Sequence, residues 1–392
     1  MEKRIIYACA LAAALFAGPA FALQNVANTS QKGSLLIFPL ITVDRQHASN
    51  TLIEITNGET SAVHVECSYV NERKGRADFD FNLTGKATAS WEVLTGTGTI
   101  SAPLFPSGDN CPPPIAPICG SITRGELVCF AVNLGGTGQI AFNHLSGTAT
   151  VVNLADTPAL QSRQAFRYNS WAFLARNASG MPEVDNTPQG TPGVLVLSGG
   201  LAGTYDGCPK INIASFNPNG AALGGVTTLD NDMVGVSCNQ DLRQDFVLHT
   251  TKLQFTVWNA NENSFTGSYA CVDSVFSVPL GAGEGSTVVN RSNFDFSTVQ
   301  TANARFEVQG VSSTQCPPGT EPSGLLAVYT SSLCLRANVA PFCKCPPGVL
   351  CLPFDPNFPE DAEMGSTTQT AGSLPGFVLW DPAGTVPFGS RH

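Results

Sequence analysis

Apolar residues recur at every second position through much of this chain, in short runs cut off by Gly, Pro, Asn and Asp. A period of two puts one face of an extended strand indoors and the other in solvent, whereas a helix needs a period near 3.6. Val63, Val65 and Cys67 alternate with His64, Glu66 and Ser68, and Phe79, Phe81 and Leu83 repeat the pattern. Residues 51–56 alternate as well and run into Asn57-Gly58, a strong hairpin-turn signal. Further strands are expected over 33–43, 127–132, 139–142 and 148–154. Residues 164–176 read as one strand, although Trp171-Ala172-Phe173-Leu174 is a solid apolar run. The expected fold is therefore all-β, as two immunoglobulin-like β-sandwich units with disulfide-stapled loops.

The chain of 392 residues exceeds what one hydrophobic core normally serves. Its 43% hydrophobic content supplies enough burial, while charged residues, at 13%, are about half the usual share. The boundary between units is placed in the Gly-rich stretch 198–207. The expected organisation is 1–22 leader, 23–200 first unit, 201–350 second unit and 351–392 an irregular Pro- and Gly-rich tail. Residues 50–57 followed by Cys67-Ser68-Tyr69 resemble residues 251–259 followed by Tyr269-Ala270-Cys271. Both read as hairpins of one repeated unit.

The first residues carry an export pattern. Lys3 and Arg4 precede an apolar run over 5–17, and Ala20-Phe21-Ala22 offers a small-residue cleavage site. The run is too short to span a bilayer, which takes about 20 residues. Cleavage near Ala22 places the mature chain in the periplasm, at the cell surface or in the medium.

Of 13 cysteines, Cys9 lies in the leader, leaving Cys67, Cys111, Cys119, Cys129, Cys208, Cys238, Cys271, Cys316, Cys334, Cys343, Cys345 and Cys351. An even number in an exported chain points to disulfides. Cys111 and Cys119 bracket a Pro-rich loop and form the plausible local pair. Cys343, Cys345 and Cys351 lack the C-x2-C spacing and the histidines of a zinc site.

Twenty Lys and Arg against thirty Asp and Glu give a net charge of −10. That balance argues against nucleic-acid binding and against charge-driven contact with an anionic membrane, and no later run is long enough for a membrane span. Lys32-Gly33-Ser34-Leu35-Leu36-Ile37-Phe38-Pro39, Cys67-Ser68-Tyr69-Val70-Asn71 and Phe142-Asn143-His144-Leu145-Ser146-Gly147-Thr148-Ala149 resemble hypothetical exported proteins of environmental bacteria, a group without an assigned activity. The resemblance implies an envelope or extracellular setting and carries over no functional residue.

No G-x-S-x-G elbow, H-E-x-x-H, P-loop or dinucleotide fingerprint occurs. The histidines outside the leader are His47, His64, His144, His249 and His392. His144, two residues before Ser146, is the most suggestive base, and a hydrogen-bonded turn histidine is the plainer reading. Asp78 and Asp80 share one strand face and read as its solvated side. Asp230-Asn231-Asp232 reads as an Asx turn, with calcium binding as the functional alternative. Trp91, Trp171, Trp258 and Trp380 are either core or a sugar-stacking platform. Asn28, Asn82, Asn177 and Asn290 open N-x-S/T sequons, which matter only in a host that glycosylates exported chains.

The expected function is that of an exported, non-enzymatic structural or binding protein of the cell exterior, adhesive or matrix-forming. The alternative is a carbohydrate-binding module, and a hydrolase stands behind both. No catalytic, cofactor or metal residues are assigned. The partner is an unidentified protein or polysaccharide. The apolar strand 33–43 is expected to pair within its own sandwich, and self-assembly is the alternative: the polar segment 24–32 would reach out and the strand would complete a neighbour's sheet.

Overall fold

The computed structural model describes residues 25–43, 49–106, 124–154, 163–197, 199, 204–223, 226–238, 250–281, 287–317, 320–334 and 364–370. The leader, the Cys111 and Cys119 loop, Cys343, Cys345, Cys351, Trp380, His47, His249 and His392 lie outside them.

In the first half, nine strands form two antiparallel sheets: β1 (Leu35–Thr42), β2 (Ser49–Asn57), β3 (Val63–Asn71), β4 (Arg76–Leu83), β5 (Thr88–Glu92), β6 (Arg124–Val132), β7 (Leu145–Leu154), β8 (Arg163–Asn169) and β9 (Trp171–Phe173). One sheet has the order β4-β3-β6-β1-β9 and the other β5-β2-β7-β8. A short ribbon of β10 (Ala175–Arg176) and β11 (Thr204–Tyr205) follows.

The second half adds β12 (Ile211–Phe216), β13 (Ala222–Leu223), β14 (Val226–Ser237), β15 (Thr251–Asn259), β16 (Ser264–Val272), β17 (Val275–Leu280), β18 (Ala304–Val311), β19 (Leu325–Cys334) and β20 (Met364–Thr370). Its sheets run β12-β18-β15-β16 and β13-β14-β19-β20, with β17 also paired to β14. The helical content among the described residues is a 3₁₀ turn, Arg291–Phe294, and one α-helical turn, Phe296–Val299. Within 351–392, read from sequence as an irregular tail, Met364–Thr370 pairs along β19.

The four sheets stack as successive layers with three cores between them. Leu36, Phe38, Cys67, Tyr69, Leu127, Cys129 and Ala131 face the β5-β2-β7-β8 sheet across the first core. Their neighbours Leu35, Ile37, Val128, Phe130 and Val132 face the other way, into a core shared with Val236, Cys238 and Leu326 of the second half. Beyond that layer, Met233, Leu325, Ala327 and Tyr329 close a third core with Phe255, Phe294 and Phe306. The central strands of the middle sheets are thus buried on both faces, which is why β1 and the start of β19 read as continuous apolar runs instead of alternating ones. In the first core Trp91 Nε1 donates to the Tyr69 hydroxyl at 2.6 Å, with Phe79 and Phe81 packed edge-on to the indole.

Several sequence expectations change. Residues 164–176 are not one strand: the chain leaves the outer sheet at Ser170 and enters the middle sheet at Trp171. The half-buried alternation of Phe166 and Tyr168 gives way there to Trp171-Ala172-Phe173, buried on both faces. Asn57-Gly58 does not close a hairpin, because β2 and β3 belong to different sheets. Asn57 instead turns the corner, its Oδ1 accepting from Glu59 N at 2.8 Å and its Nδ2 donating to Ser61 O. Since β15 and β16 do pair as a hairpin, the two look-alike segments are not topologically equivalent. Residues 139–142 make only isolated bridges. Finally, β1 lies between β6 and β9 of its own sheet and pairs with both.

Three disulfides occur among the described residues: Cys67–Cys129, Cys208–Cys238 and Cys271–Cys316. Cys67 and Cys129 are register partners on β3 and β6, so this bridge joins neighbouring strands of one sheet and does not tie a loop.

Candidate functional site

The outward face of β5-β2-β7-β8 carries polar side chains at alternate positions, and the chain before β1 crosses that face. Residues 29–32 form one wall of a groove of about 540 Å³, and its floor is made by Glu54, Thr56, Thr88, Ser146, Thr148 and Arg167. Asn169 and Ser170, where the chain changes sheets, close the rim. A volume of this size falls within the ~300–1,000 Å³ typical of small-molecule sites.

The wall is held from beneath. Gln31 Nε2 donates to Ala172 O at 2.8 Å and to Asp206 Oδ2 at 2.9 Å. Asp206 is fully buried, and it also accepts from Leu174 N at 2.9 Å and from Arg176 Nε at 2.6 Å. Asn169 Nδ2 reaches Thr29 O at 3.2 Å. A segment without regular structure is thereby fixed across the sheet.

On the floor, the Thr56 and Thr88 hydroxyls lie 2.8 Å apart. Thr148 donates to Glu54 Oε2 at 3.0 Å, and Arg167 pairs with the same carboxylate while donating to Thr148 Oγ1. At the end near the β2–β3 turn, Lys32 extends its ammonium over Gly58, where a Cβ would overlap it. The groove therefore holds two cations, Lys32 and Arg167, against one carboxylate.

His144 lies at the same end but not as a base toward Ser146. Its Nε2 faces Asp185 Oδ2 at 2.9 Å, and its Nδ1 faces Glu59 Oε2 at 3.8 Å. Hydrogen bonds from the Thr60 backbone and hydroxyl, with help from the His144 and Lys86 charges, hold the Glu59 carboxyl below its usual range. Both ring nitrogens are thus turned to carboxylates, so His144 ties the 177–190 loop to the β2–β3 turn.

Asp78 and Asp80 lie on the solvated face of β4, with Phe79 and Phe81 turned inward as expected. Opposite them on β3, Glu66 is pushed above the ordinary carboxylate range by burial and by the Asp78 and Asp80 charges. The Asp230-Asn231-Asp232 reading is corrected. These residues sit inside β14 and not in a turn, and the neighbours Asn231 and Asp232 are strand residues whose side chains leave on opposite faces. Asn231 is buried, donates to Asn217 O at 2.9 Å and accepts from the Tyr329 hydroxyl. Among the described residues, no three His, Cys, Asp or Glu side chains converge as metal ligands.

The tryptophans form no platform among the described residues. Trp91 and Trp171 are buried in different cores, and Trp258 is half-buried with Arg305 5.3 Å from its ring centre. None of the groove residues except Ser146 stood out in the sequence. The available signal was the recurrence of hydroxyl residues at outward positions, as at Thr56, Thr88, Ser146 and Thr148. No helix among the described residues is long and apolar enough to cross a membrane.

No protein-family model matches this chain, and no curated protein matches it. Among solved structures, Thermotoga maritima 1070 aligns over 36% of this chain and 95% of its own, with 7% identity and a TM-score of 0.22. The PBSX exported protein XepA aligns over 79% of this chain and 85% of its own, with 8% identity and a TM-score of 0.17. Likeness this slight carries no argument about fold or function.

Proposed function

We propose that this chain is an exported, non-enzymatic binding protein of the cell exterior, built from two immunoglobulin-like sandwiches set back to back, with the groove as its contact surface. The observation that carries this reading is the anchored wall. Asp206, buried in the middle of the molecule, holds Gln31 and so keeps residues 29–32 over a polar sheet face. Preorganising a concave polar surface in this way lowers the ordering cost of binding. The export pattern at residues 1–22 and the three disulfides support an oxidising compartment.

The test has two arms. Fractionation of cells producing the full chain should find it outside the cytoplasm and shortened by the leader. Binding of the purified mature protein to an array of extracellular polysaccharides and envelope proteins should be lost in Gln31→Ala, which frees the wall. A chain retained whole in the cytoplasm, or an array binder indifferent to Gln31, overturns the reading.

A further inference from the structure

We propose that the groove binds an acidic saccharide, with the sugar carboxylate on Lys32 and the ring hydroxyls on the threonine and serine floor. This rests on the binding reading above and adds the ligand class and the residue that selects it. The chain carries a net charge of −10, yet this groove holds two cations and one carboxylate. Arg167 is committed to Glu54, whereas Lys32 makes no ion pair with any described residue. The groove therefore presents one uncommitted positive charge in an acidic protein, which favours a monoanion. A phosphate dianion is better served by the bidentate fork of an unpaired Arg, and the one Arg of the groove is paired with Glu54.

A hydroxyl has one donor and two acceptor sites, and it rotates to suit its neighbour. The Thr56–Thr88 contact uses one donor and one acceptor of the pair, leaving a donor and further lone pairs facing the groove. Ser146 and Asn169 add a third hydroxyl and an amide beside them. Such a floor matches the mixed donor and acceptor character of vicinal sugar hydroxyls, whereas a peptide carboxylate would leave it unused. Gly58 completes the site by leaving room for the Lys32 ammonium.

Calorimetric titration of the mature protein with polygalacturonate, with neutral dextran and with free galacturonic acid tests this. The acidic polymer should bind, dextran should bind at least tenfold more weakly, and added salt should weaken the acidic polymer alone. Binding of the free acid as well would place recognition in a single sugar unit, and polymer-only binding would place it in adjacent units; either supports the ligand class. Lys32 is exposed, so Lys32→Gln should fold unchanged. It should lose about 10- to 100-fold in affinity for the acidic polymer, as expected for one charge-assisted hydrogen bond. Ser146→Ala should lose less and keep the preference for the acidic polymer. Equal affinity for dextran and polygalacturonate, or full affinity in Lys32→Gln, overturns this proposal while leaving a binding protein. Failure to bind any of the three overturns it too, and if the polysaccharide and protein array is also blank, the binding reading falls with it.

Discussion

Asp206 accepts a hydrogen bond from Arg176 Nε at 2.6 Å with its own side chain wholly out of solvent. The other carboxylate oxygen is taken by Gln31 and the Leu174 amide, so both oxygens are satisfied. Replacing both members of such a pair by apolar groups is often neutral, but removing one strands the other charge. Asp206→Ala should therefore lower unfolding free energy by about 3–5 kcal/mol in denaturant titration. It should also expose residues 25–32 to protease, because Gln31 loses its anchor. An unchanged midpoint would mean that Arg176 finds solvent without cost.

Glu126 supplies a pH prediction. It is fully buried on β6, and burial pushes its carboxyl up to about 8, with the Lys74 charge opposing part of that shift. Between the unfolded value of 4.5 and about 8 the folded protein keeps a proton that the unfolded chain has released. Stability from this group is thus full below 4.5 and declines as pH rises through that window, by at most ~1.4 kcal/mol per unit. Glu126→Gln should remove this decline, so its advantage over the parent grows from pH 5 to 8. Parallel stability profiles for the two proteins would show that Glu126 is ionised in the folded state.

The disulfides close segments with sequence separations of 62, 30 and 45 residues. Loop-closure entropy gives each about 4 kcal/mol in the chain-entropy model. Under denaturing, non-reducing conditions these six cysteines should resist alkylation, as peptide mapping would read. Cys271→Ser with Cys316→Ser should lower stability by about 2–5 kcal/mol.

The strands were legible where one face is wet. Val63 to Cys67 and Asp78 to Phe81 alternate in sequence and in burial alike, since solvent on one side forces the period of two. Stacking of the halves was not legible. Leu325-Leu326-Ala327-Val328-Tyr329 is apolar at every position because its two faces serve different cores, and periodicity alone cannot tell such a strand from a buried helix. Asp230 to Asp232 misled for a related reason: a turn-forming residue sits mid-strand because Tyr329 of the neighbouring strand and the Asn217 carbonyl satisfy Asn231. The groove was hidden because its parts are 29–32 and four separate strands, which share no sequence spacing.

The shared core makes a final prediction about cooperativity. Leu326 on β19 is fully buried in the cluster that holds Phe130 and Trp171 of the first half, while its neighbours Leu325 and Ala327 serve the second half's own core. Removing its side chain beyond Cβ leaves a cavity bordered by both halves, at a typical cost of about 2–5 kcal/mol. If the halves unfold as one, Leu326→Ala should lower the midpoint seen by indole fluorescence, to which Trp91 and Trp171 of the first half contribute. It should lower the midpoint seen by far-ultraviolet dichroism, which samples every sheet, by the same amount. Val257→Ala, in the third core, should do likewise although the buried cluster it belongs to holds only second-half residues among those described. Separated transitions in either variant, with part of the indole signal holding its parental midpoint, would mean that the middle interface joins two domains that fold independently. Coincident transitions would mean that this interface serves as an internal layer of a single cooperative unit.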